Sequence, residues 1–210
     1  MPTYNHNPNL KKLQKHFYER YVLDVAVDLL GKIFVRRIGK TILSGRIVET
    51  EAYDGKIDEA AHSYIGQTER NSVMFNGTGL LYVYFIYGMH YCANVVTGSS
   101  DQGQAVLIRG IEPIDGIENL SDNRFGTLQP NNHQLMNLTN GPAKICQAFG
   151  INRDENGIDL TGDSIYILDD KLPSNSEIAK TTRIGIKKSV DLPWRFYIKG
   201  NHFVSKTIGK

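Results

Sequence analysis

Two glutamates placed two apart in the run RIVETEAYDG, residues 46–55, are the residues of this chain best suited to chemistry. A strand rises roughly 3.3 Å per residue and sends alternate side chains to the same face. Glu49, Glu51 and Tyr53 are therefore expected on one face, with Val48, Thr50 and Ala52 on the other. Burying a carboxylate is costly unless it is paired, hydrogen-bonded or put to use. With aromatic neighbours and His62 a short way on, such a carboxylate has the parts of a general base. A solvated strand face satisfies the same pattern, and a two-residue period does not choose between Glu49 and Glu51.

Two further features carry polar groups where a plain core needs none. Tyr82, Tyr84, Phe85, Tyr87 and Tyr91 crowd one segment, with Tyr82 and Tyr84 of equal strand parity and Tyr87 just before Gly88. Aromatic faces suit a stacked base, and an exposed ring at a hairpin tip can wedge into a base stack. Ordinary β-propensity and core packing account for the same residues. Arg109 stands alone in the apolar run AVLIRGIEPI and needs a carboxylate partner. That partner is either a catalytic glutamate or a structural one such as Glu112. There is no glycine-rich phosphate loop, and the two cysteines, Cys92 and Cys146, form neither a zinc spacing nor a disulfide framework.

The elements that must position these residues follow from periodicity. Residues 9–30 read as a helix, with Leu10, Leu13, Phe17, Tyr21 and Val25 at three- and four-residue spacing and Gly31 as a stop. Residues 31–53 alternate like strands around a turn at Gly39-Lys40. Residues 54–79 read as loop, with a short helix near Asp58–Ser63. Residues 80–96 form two strands turning near Gly88, and 105–114 a further strand. The Asn-rich stretch 115–140 is expected to be a surface excursion holding a short helix. Pro142 opens a helix, and SIYILD, RIGIKK and PWRFYIKGNHFVS supply two or three more strands. The sum is a single α+β domain over 1–210, with a curved, mainly antiparallel β-sheet and several short helices.

Charge is uneven. Residues 178–210 hold eight Lys or Arg against Asp191 alone, leaving sixteen basic and twenty-one acidic groups elsewhere. A basic tail of this kind suits a nucleic-acid surface, or an ordinary solvated face. No apolar run approaches the roughly 20 residues of a membrane span, and the polar start MPTYNHNPNLKKLQ lacks a secretory signal. A cytoplasmic protein is the expectation.

Taken in order, GRIVETEAYDG, DEAAHSYIGQTERNSVMF, GLLYVYFIYGMHYCANVV, AVLIRGIEP, NGPAKICQAFGI and PWRFYIKGN resemble the alkyladenine (3-methyladenine) DNA glycosylases of the mammalian type, which lack a helix-hairpin-helix. The resemblance runs from about Leu23 to Ser205. It implies a base-excision repair hydrolase that extrudes an alkylated or deaminated purine from duplex DNA and cuts its glycosidic bond. Glu51 matches the residue that deprotonates the attacking water, and Arg109 the one that holds water and carboxylate. Tyr53, His62 and Tyr84 match the walls around the flipped base, and Asn94 the group that discriminates against guanine. Tyr87 matches the tyrosine that fills the gap in the duplex, and Met89, Arg70, Lys187 and Lys188 are the other expected DNA contacts.

The expected chemistry needs no metal or organic cofactor, and with no lysine at the Glu51 segment it is monofunctional hydrolysis; the expected partner is damaged double-stranded DNA, and the protein is expected to be a monomer. The compact chain reads as bacterial. Two departures stand out: Glu69 where the family commonly has proline, and Gly110 where a larger residue is usual, which is expected to widen space near the pocket. The competing readings are an inactive lesion-binding protein of the same fold and, more remotely, a metal hydrolase using Glu49, Glu51 and His62.

Overall fold

β2 (Thr41–Asp54) organises the molecule. In a computed structural model, which describes residues 10–205, this strand pairs antiparallel with β1 (Ile33–Ile38) through the Gly39-Lys40 turn. Along its other edge it pairs with β5 (Gln104–Asp115). Where β1 ends, β8 (Arg195–Ile198) takes over, so that Glu49, Thr50 and Glu51 have strands on both sides. The sheet continues outward as β3 (Leu81–Ile86) and β4 (His90–Thr97) beyond β5, β6 (Ile165–Leu168) beyond β1, and β7 (Ile178–Thr181) beside β8. Every pairing is antiparallel, and the architecture is α+β as expected.

Two offsetting bulges sit in the middle of the β2–β5 ladder. Ile47 faces Ile111, Glu49 faces Gly110 and Thr50 faces Ile108, so Val48 on β2 and Arg109 on β5 are each left without an opposite number. A bulge bends the strand and re-aims the extra side chain. Here it turns Arg109 toward the glutamates of β2.

The second face of β2 makes the core. Val48 and Ala52 are wholly buried in one core cluster with residues of α2 (Val22–Asp28) and α5 (Pro142–Phe149), and the Thr50 hydroxyl donates to the Ala26 carbonyl at 2.8 Å. Phe149 meets Phe34 edge-on, with ring centroids 5.3 Å apart. Each such fully buried side chain contributes about 1.5–3 kcal/mol relative to exposure. Helices thus fill one side of the sheet and leave the other for a site.

Several expectations need correction. The helix over 9–30 is two: α1 (Lys15–Tyr18) and α2, broken where the Gly98 amide donates to the Tyr18 and Arg20 carbonyls. Lys12 and Leu13 instead pair with β6, and Asn9 lies outside the described residues. Asp58–Ser63 is a series of turns, the helical turn of that loop being at Ser72–Phe75. The stretch 115–140 carries two helices, α3 (Ile117–Phe125) and α4 (Asn132–Met136), and Leu120 of α3 is wholly buried. RIGIKK is no strand, because Arg183 is drawn inward from it to Asp58 and the Ala52 carbonyl.

Candidate active site

On the open side of the sheet lies a cavity of about 600 Å³, walled by Tyr53, His62, Tyr82, Tyr84, Asn94 and Arg109, with Tyr87, Lys187 and Lys188 at its rim. The structure therefore brings together residues that the sequence spreads over more than a hundred positions. His62 meets Tyr84 edge-on with centroids 4.5 Å apart, and Tyr82 lies 5.6 Å from Tyr84. Tyr82, which sequence reasoning left unassigned, also holds His62 by a hydrogen bond of 3.1 Å between its hydroxyl and Nδ1. Asn94 is buried and donates to the Tyr82 carbonyl at 3.1 Å.

Burial against the ring wall, and then the nearby Arg70 cation, lowers the His62 pKa from 6.5 to about 4. Its outer edge is exposed, and solvent there screens part of that effect. The same wall pushes Tyr82 up to about 12 and raises Tyr84 further, burial being the first cause in both. These rings are neutral and electron-rich in the physiological range, as a surface for a cationic purine would be.

Behind the wall lie the two glutamates, both with zero exposure. Glu51 does not itself line the cavity; its partners Tyr53, Arg109 and Ile184 do. Glu51 Oε2 accepts from the Tyr53 hydroxyl at 2.8 Å and from Arg109 Nη1 at 3.3 Å, and Oε1 accepts from the Ile184 amide at 2.8 Å. Burial and then the adjacent Glu51 charge hold the Tyr53 pKa well above its ordinary value, which keeps this hydroxyl a donor. For Arg109, burial opposes the charge, but Glu51 and Glu49 outweigh it and the pKa is raised. The pairing of Arg109 is thus with β2, while Glu112 accepts instead from Asn201 at 3.1 Å.

Two arginines counted with the basic tail prove to be internal. Arg183 donates to both Asp58 oxygens and to the Ala52 carbonyl, and its guanidinium covers the Tyr53 ring at 4.5 Å. Arg195 Nε donates to Glu49 at 2.6 Å. Their partners are far away in sequence, so nothing local marked them. Lys187 and Lys188 remain exposed at the rim, Lys188 lying 3.5 Å from Glu59, whereas Lys206 and Lys210 lie outside the described residues.

The hairpin tip stands out from the body. Tyr87 is 78% and Met89 69% exposed, and Tyr87 holds φ 54°, a backbone region that bulky residues rarely adopt. Arg70 braces the tip by donating to the Phe85 carbonyl at 3.0 Å and lying 5.6 Å over Tyr84. Glu69 is exposed and away from this contact. Gly110 does not widen the cavity. A Cβ there would meet the Phe203 carbonyl at 2.5 Å and Glu49 Cβ at 3.1 Å, so the missing side chain makes room for the C-terminal segment.

No group of three or more His, Cys, Asp or Glu among the described residues is arranged to hold a metal ion. Glu49 and Glu51 are engaged by guanidinium and amide donors. No helix among them is long and apolar enough to cross a membrane.

The family model described as methylpurine-DNA glycosylase matches residues 16–202. A protein of Clostridium botulinum is 46% identical over 200 residues, covering 92% of this chain and 98% of its own. One of Chlorobium phaeobacteroides is 48% identical over 197 residues, covering 93% and 97%. Each carries the name "Putative 3-methyladenine DNA glycosylase".

Proposed function

The chain belongs to the methylpurine-DNA glycosylase family, a family of DNA-repair N-glycosyl hydrolases, and on that footing we propose how its own residues carry out the reaction. A damaged purine leaves the duplex and enters the cavity between Tyr53, His62 and Tyr84. Extrusion costs about a few kcal/mol, less for a damaged or weakly paired base. Tyr87 fills the gap left in the stack, offsetting part of that cost, with Met89 and Arg70 beside it. Lys187 and Lys188 contact phosphates. Asn94, fixed through the Tyr82 carbonyl, checks the base edge and rejects guanine's amino group.

Glu51 is the base. Three protein donors meet the four acceptor directions of its carboxylate, and a water can approach Oε1 through the fourth. Glu51 takes that water's proton as its oxygen attacks the sugar C1′, and its negative charge steadies the oxocarbenium-like state that develops there. An alkylated purine is already cationic and departs without a metal or organic cofactor. No amine among the described residues touches Glu51, whose partners are a phenol, a guanidinium and a backbone amide, and with the rim lysines Lys187 and Lys188 engaged on phosphates the reaction stops at an abasic site.

The observation that carries this reading is the Tyr53–Glu51–Arg109 cluster set directly behind an aromatic cavity. Incubation with methylated duplex DNA, followed by analysis of both products, tests it. Free methylpurine with the strand intact and no borohydride-trapped protein adduct is expected; a trapped adduct or direct strand cleavage would overturn the monofunctional mechanism.

A further inference from the structure

Glu49, the second buried carboxylate, has no part in the reaction as derived above. It is nonetheless the most heavily engaged acid of the site. Its Oε1 accepts from Arg195 Nε at 2.6 Å, Ser205 Oγ at 2.8 Å and Arg109 Nε at 3.3 Å, and its Oε2 from the Ser205 amide at 2.5 Å. Ser205 Oγ in turn accepts from Arg109 Nη2 at 3.2 Å, and the Ser205 carbonyl accepts from Arg195 Nη2 at 3.3 Å. Arg109 is thereby gripped through Nε and Nη2, and its remaining nitrogen, Nη1, is the one that reaches Glu51. A guanidinium is planar with its N–H groups in a fixed fork, so fixing one edge aims the other.

We propose that Glu49 and Ser205 form a positioning unit for the reaction, fixing the orientation of Arg109 toward Glu51 and balancing the charge that Glu51 experiences. This rests on the reading of Glu51 as the base. The Gly110 backbone fits the same scheme, since the space beside it admits the Phe203 carbonyl and so lets the C-terminal segment bring Ser205 to Glu49. Ser205 arrives from a part of the chain that the strands alone do not place at the site.

The charges around Glu51 are matched. Glu51 is faced by Tyr53 on its own strand, Tyr84 on β3, Cys92 on β4, Arg109 on β5 and Arg183. Burial raises the pKa of Tyr53, Tyr84 and Cys92, so these stay neutral. Arg183 is matched by Asp58. Glu49 and Glu51 then stand against Arg109 and Arg195. Glu49→Gln removes the carboxylate that Arg109 Nε and Arg195 Nε share and so loosens the edge that aims Nη1 at Glu51.

The test is single-turnover base release by the full chain, measured across pH, with lesion-duplex affinity measured alongside. Ser205→Ala is expected to slow release by about 10- to 100-fold, the scale of a misplaced catalytic group, with affinity and pH midpoint unchanged and with Ser205→Thr restoring most of the rate. Glu49→Gln is expected to slow release by a similar factor with lesion affinity unchanged. An unchanged rate in Ser205→Ala, or a loss that Ser205→Thr does not restore, would overturn the positioning role. Should Glu49→Gln not fold, the serine pair decides alone. Absence of release by the unaltered protein would sink the assignment of the base, and this inference with it.

Discussion

At the scale of single residues, the site separates a wet aromatic wall from a dry charged layer. His62 belongs to the wall. Unfolded, its ring takes a proton near 6.5; folded, burial and Arg70 lower that toward about 4. Between those values the unfolded state binds more protons, so stability falls as pH drops through that window. An NMR titration of the imidazole is expected to give a midpoint below 6.5, and His62→Gln should flatten the acid side of the stability profile; a midpoint above 6.5 would contradict the wall assignment. Arg109 and the pair Glu49 and Glu51 were legible in the sequence because each is a charge in an apolar or aromatic run, which demands a partner, while the choice of Glu51 came from the family resemblance alone. Arg183 and Arg195 were not. They sit in a lysine-rich tail where charge looks solvated, and their carboxylates lie on loops and strands more than a hundred residues earlier.

At the scale of elements, the two-residue period of β2 holds through the site: Glu49 and Glu51 both meet Arg109, Tyr53 meets Glu51, and Thr50 turns to the helices. What periodicity does not express is the bulge that frees Arg109 from the ladder, or the break between α1 and α2 imposed by Gly98. Both are tertiary effects. The β3–β4 hairpin was visible as two strands, but its tip is unusual in placing Tyr87 at positive φ, a conformation that costs of order 1–3 kcal/mol. Asn tolerates this region, so Tyr87→Asn is expected to keep or raise thermal stability by about 1 kcal/mol while weakening binding and extrusion on duplex DNA. Release from an already unstacked base should be spared. Equal loss on both substrates would show that the wedge role is wrong.

At the scale of the whole molecule, charge is divided between inside and outside. Of the tail's described cations, Arg183 and Arg195 are buried in ion pairs, Lys199 pairs with Glu177 and Lys188 with Glu59 at the surface. The basic surface is therefore smaller than the sequence implies, and Lys187 and Lys188 gain weight as the cations at the cavity rim. Neutralising both should reduce the slope of log affinity against log salt by about 0.9 for each phosphate that is no longer neutralised, without altering release from saturated complexes. An unchanged slope would return this edge to an ordinary solvated face. Five of the six ordered segments that carried the family resemblance line the cavity, and the sixth, PWRFYIKGN, reaches the buried layer behind it through Arg195. The Asn-rich stretch 115–140, expected to be a surface excursion holding a short helix, carries α3 packed against α5 and α4 packed against α3, and none of it lines the cavity.

The central claim is that Glu51, wholly buried behind Tyr53 and Arg109, activates the water. Single-turnover base release from a duplex carrying one hypoxanthine or ethenoadenine, and from methylated DNA, compares the unaltered protein with Glu51→Gln most directly. Release by the former, with a loss of about 100-fold or more in the latter at undiminished lesion binding, is the predicted result. Equal release by both proteins, or lesion binding with no release by either, would contradict it.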